Sequence, residues 1–108
     1  MAYDEALAAR VRALLASRSD VGERKMFGGL TFLVAGNMCC GVQGDELIVR
    51  LDPEREDEAL GRPHARPMDF TGRPMRGFVT VRPEGLDDER LKQWVEDAVA
   101  RAASLPPK

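Results

Sequence analysis

The stretch Lys25–Asp52, KMFGGLTFLVAGNMCCGVQGDELIVRLD, decides the fold. It breaks into short apolar runs divided by Gly28-Gly29, Gly36-Asn37 and Gly44-Asp45. Glycine supplies the positive φ that tight two-residue turns require, and Gly-Asn and Gly-Asp are hairpin signals. The stretch therefore reads as a meander of four antiparallel strands beginning at Lys25. It also holds the chain's only two cysteines, Cys39 and Cys40, adjacent to one another. A regular strand turns successive side chains to opposite faces, so the pair cannot converge on one metal ion, and its spacing is not that of zinc ligands. A disulfide between neighbours would be strained. The expectation is two strand residues on opposite faces, packed as small hydrophobes, with no metal and no disulfide.

Outward from the meander the period changes to that of helices. In DEALAARVRALLASR the residues Leu7, Val11, Leu14 and Leu15 share one helical face, with Arg10, Arg12 and Arg18 off it. After the meander, LDPEREDEALG gives a short acidic helix, with Asp52 as cap, Pro53 at the first position and Gly61 as a left-handed stop. The next segment carries Pro63, Pro67, Pro74 and Pro83, so its strands must be brief or at an edge. They are placed near Met68–Thr71 and Phe78–Arg82. The closing LDDERLKQWVEDAVARAA puts Leu91, Trp94, Val95, Ala98 and Ala102 on one face. Asp87 suits its N-cap and Leu86 its hydrophobic staple. SLPPK cannot continue this helix, and residues 104–108 are expected to form a loose tail. The fold class is α+β, an antiparallel sheet covered by helices, in the order α-β-β-β-β-α-β-β-α within one domain, 1–108.

Composition sets the outer limits. A chain of 108 residues supports one modest core, and 44% apolar with 31% charged residues is globular composition. The net charge of -2 gives no general attraction to nucleic acid or anionic lipid. No apolar run approaches the roughly 20 residues of a membrane span, and the N-terminus lacks a signal peptide's layout. With cysteines too few to staple a secreted scaffold, the expected compartment is the cytoplasm.

Local charge is more informative. Arg62, Arg66, Arg73, Arg76 and Arg82 fall within 21 residues that hold a single acid, Asp69. Arginine's planar fork suits carboxylate and phosphate, so this segment is the candidate partner surface, with Arg62, Arg66, Arg73 and Arg76 as its residues. The competing reading is that these arginines pair with the acidic helices on either side. For catalysis, the residue types allow a Cys39 or Cys40 nucleophile with His64 and Asp69, though no local motif supports that set. A third possibility is direct nucleic-acid binding through segment 62–82. No cofactor is expected.

RKMFGGLTFLVAGNMCCGV, LIVRLDPE, PHARPMDFTGRPMRGFVTV and LKQWVEDAVARAASLPP together resemble the TfoX/Sxy family, specifically its N-terminal domain. Met26-Phe27-Gly28-Gly29 after the first helix is the most specific part. The resemblance implies a regulatory, non-enzymatic module linked to competence and to protein partners in the transcription machinery, on a fold whose relatives often form homodimers. It brings no catalytic or metal residues. Full-length members carry a C-terminal domain, and the chain is expected to be a stand-alone N-terminal domain.

Overall fold

The computed structural model describes residues 3–26, 29–68 and 76–107. Helix α1 spans Glu5–Leu15, with the Asp4 carboxylate accepting from the Ala6 and Leu7 amides. Strands β1 (Val21–Met26), β2 (Gly29–Val34), β3 (Asn37–Gln43) and β4 (Glu46–Arg50) follow. A 3₁₀ turn at Pro53–Arg55 leads into α2 (Glu56–Leu60). The chain ends with β5 (Ala65–Pro67), β6 (Phe78–Val81), a 3₁₀ turn at Pro83–Gly85 and α3 (Asp88–Ser104). The element order is the one that the sequence implies. All pairings in the six-stranded sheet are antiparallel, in the order β1-β2-β3-β4-β6-β5.

The helices lie on one face of this sheet. Leu7, Val11 and Leu15 of α1, Ala59 of α2, and Leu91, Trp94, Val95, Ala98 and Ala102 of α3 join the inward strand residues in one core. Phe32, Val34, Leu47, Val49, Val79 and Val81 supply the sheet's share, alternating with the residues of the other face as the period of two requires. Among the described residues no helix is long and apolar enough to cross a membrane.

Several local expectations need correction. The first strand begins at Val21, not Lys25. Leu14 is 37% exposed, and Ala8 takes its place in the core. The Ala35-Gly36 pair makes the β2–β3 turn, with φ of 50° and 83°, and Asn37 opens β3. Asn37 is 2% exposed, and its Nδ2 donates to the Pro106 carbonyl at 2.9 Å, so the end of the chain is held at that point. Gly61 stops α2 at an ordinary φ of -78°, without the left-handed conformation. The fifth strand lies at Ala65–Pro67, before Met68, because this stretch pairs with Val79–Val81. Residues 69–71 of the expected strand lie outside the described residues.

A bulge corrects the reading of the cysteines. Phe32 stands opposite Cys40, while the next residue, Leu33, stands opposite Met38, leaving Cys39 as an extra residue in β3. Alternation is broken at that point. Cys39 and Cys40 are both 0% exposed and both belong to the core beneath the helices. They are free thiols.

Candidate interaction surface

The four candidate arginines do not form one cluster of free cations. Arg62 follows α2 and folds back over α3, with its guanidinium carbon 4.5 Å from the centre of the Trp94 ring. Its Nη2 donates to Glu58 at 2.9 Å, and its Nη1 stands 2.9 Å from Asp97. The Asp97 side chain is 10% exposed and also accepts from Gln93 at 3.0 Å. This network ties the end of α2 to the middle of α3. The Arg62 bond holds the Glu58 carboxyl below the usual range, against a smaller opposing effect of burial.

Arg66 sits on β5 and forms a two-pronged bond with Glu46 of β4, at 2.7 and 2.8 Å. The pair spans β6, which lies between those strands. Arg76 is 70% exposed, with one carboxylate contact among the described residues, Glu56 at 4.0 Å. The backbone of the next residue, Gly77, donates to the same Glu56 at 3.0 Å. Arg73 lies outside the described residues. Of the described candidates, Arg62 and Arg66 are engaged within the fold and Arg76 is largely turned to solvent.

The face of the sheet away from the helices joins this surface through its register, with Thr31, Ile48 and Thr80 buried along its middle and exposed residues at its edges. Arg24, Thr31, Gly41, Ile48, Thr80 and Arg66 lie opposite one another in a single row across the six strands. An arginine therefore stands at each edge of the row. In the neighbouring row Arg50 lies opposite Phe78 and places its guanidinium 5.8 Å from the centre of that ring. Arg24 and Arg50 are absent from any clustered charge count in the sequence. Only the strand register brings them to the same face as Arg66.

The residues of the cysteine-based alternative do not come together. His64 is exposed in the turn before β5, with φ of 65°. Cys39 and Cys40 lie on β3, and β4 and β6 intervene between β3 and β5. At about 4.8 Å per strand the separation is about 14 Å, far beyond hydrogen-bond reach. The Cys40 thiol is pushed well up by its hydrogen bond with Cys39, by complete burial and by the Cys39 charge. That is the opposite of what a nucleophilic thiolate needs. Asp69 lies outside the described residues. Among the described residues no group of three or more His, Cys, Asp or Glu side chains is arranged to hold a metal ion.

Comparison with known proteins agrees with this architecture. The family described as TfoX N-terminal domain matches residues 13–102 of the 108. No curated protein and no solved structure matches the chain. The matched span runs from the end of α1 through the whole sheet to the last turn of α3, and the chain belongs to the TfoX N-terminal domain family.

Proposed function

We propose that the chain is a cytoplasmic regulatory module that acts by binding a protein partner, not by catalysis. Arg66, Arg73 and Arg76 form its contact surface, and Arg62 serves the fold. The supporting observation is the exposure of Arg76: it is 70% exposed and, among the described residues, has one carboxylate within reach, Glu56 at 4.0 Å. Family membership supports a regulatory module, and a competence or transcription role belongs to this proposal. Arg66 already holds Glu46. An acidic partner would compete for that guanidinium, exchanging one carboxylate for another at little net cost.

The test is affinity capture from cell extract with the wild type beside the triple variant Arg66→Ala, Arg73→Ala, Arg76→Ala. Melting should change little, because exposed pairs are worth about 0–1 kcal/mol each. A specific partner should be lost. Unchanged capture with unchanged melting would overturn the surface. Binding to DNA that weakens steeply with salt would favour the nucleic-acid reading instead.

A further inference from the structure

The six-stranded sheet has two edges, and their backbones differ. On β5 the Met68 amide donates to the Phe78 carbonyl at 3.3 Å, and the Arg82 amide to the His64 carbonyl at 3.1 Å. Antiparallel alternation then turns Ala65 and Pro67 outward. Pro67 has no N–H, and the Ala65 amide donates back to the Arg62 carbonyl at 3.4 Å. That edge offers no free donor to an incoming strand.

The β1 edge is open. The Ala35 amide donates to the Asp20 carbonyl at 2.9 Å, which sets the alternation for the strand that follows. Gly22, Arg24 and Met26 bond toward β2, whereas Val21, Glu23 and Lys25 direct their amides and carbonyls away from the sheet. The strand is six residues long without a proline, and residues 22–25 are exposed.

We propose that β1 is a homodimer interface: two copies of the chain join β1 to β1, antiparallel, about a twofold axis at Arg24. Opposed residues in an antiparallel pair share a face, so identical strands can pair only with a residue opposite its own copy. Centred on Glu23 or on Lys25, the register sets like charges face to face at the axis. Centred on Arg24, it sets Glu23 of each copy opposite Lys25 of the other, in the pairs that exchange backbone hydrogen bonds. Two opposite-charge contacts then stand against one like-charge contact, Arg24 with its own copy. Glu23 is already fixed by Arg12, at 2.6 and 2.8 Å, and Lys25 makes no ion pair among the described residues.

The decisive measurement is sedimentation velocity over a wide concentration range. The wild type should dimerise. Lys25→Glu sets Glu23 against a second carboxylate at both contacts and should weaken the dimer about tenfold or more. Glu23→Lys should do the same, and an equimolar mixture of the two variants should form a heterodimer with opposite charges restored at both contacts. Lys25→Pro removes an amide that bonds nothing within the monomer, so it should abolish dimerisation while far-ultraviolet circular dichroism and melting stay near the wild type. A wild type that remains monomeric at every concentration overturns the proposal. So does a dimer indifferent to both Lys25→Glu and Lys25→Pro.

Discussion

Cys39 and Cys40 show how far one extra residue moves the chemistry of a strand. In an unbroken strand one thiol would face the helices and the other the opposite face of the sheet. The bulge instead takes both into the core, where neither meets solvent. Neither cysteine should therefore react with a thiol reagent in the native protein, and both should react promptly in denaturant. Rapid native labelling of one thiol would contradict the bulge. The composition of NMCCGVQ implies a strand whose cysteines pack as small hydrophobes, and the structure has both. It could not give the bulge, which is a property of register between β2 and β3 and has no signature within β3 alone. The β2–β3 turn was displaced for a related reason. Gly36-Asn37 has the better local turn chemistry, but Asn37 is buried where it donates to the Pro106 carbonyl, a contact 69 residues away. Ala35 accepts the positive φ instead, anchored by its amide bond to Asp20.

At the scale of elements, the helices were the most legible because an amphipathic face repeats within one segment. All five residues read for the inner face of α3 are buried, and Asp87 caps it by accepting from the Arg90 amide at 3.3 Å. Trp94 anchors the helix, being 2% exposed and covered by Arg62. Trp94→Ala should cost about 3–5 kcal/mol, measured by urea unfolding with the slope checked for constancy. Arg62→Ala should cost about 1–3 kcal/mol, since it removes the cover from the indole and leaves Asp97 without its shortest cationic contact. A loss for Arg62→Ala close to zero would return that residue to the candidate contact surface. The strand near Met68 was misplaced by three residues, since prolines mark where pairing must stop without marking where it begins. The pairing of Arg62 with Glu58 and Asp97 follows the competing reading, in which the arginines pair with the acidic helices on either side. A charge count does not choose between the two readings, because a run of arginines looks the same whether each ends on a carboxylate of its own chain or on a partner's. The excess of arginine was legible, but its division between fold and surface depends on which helix folds beside which loop.

Across the whole molecule, paired arginines join separate elements. Arg12 links α1 to β1, Arg10 links α1 to the start of α3, Arg62 links α2 to α3, and Arg66 links β5 to β4. Three carboxylates that arginines hold titrate below their ordinary range. Asp20 is held down by its bond with Arg18, Glu23 by its bond with Arg12 and Glu58 by its bond with Arg62. A carboxylate with a depressed folded-state pKa binds fewer protons folded than unfolded, so its contribution is complete above the unfolded value and vanishes as pH falls through the folded one. Unfolded Asp and Glu titrate near about 3.9 and 4.3, so stability from these pairs should be flat above about pH 5 and decline at lower pH. The decline should be gradual, because the pairs are largely exposed and each is weak. Chemical denaturation at a series of pH values checks the sign. Glu23→Gln should shrink the acid-side decline while lowering stability at neutral pH, because it removes the titrating group and its bond to Arg12 together. A variant with the wild-type pH dependence would mean that Glu23 contributes nothing to the coupling between α1 and the sheet. The cohesion of that edge would then rest on Val11 and Leu15 packing against the strands, and on the hydrogen bonds of β1 to β2 alone.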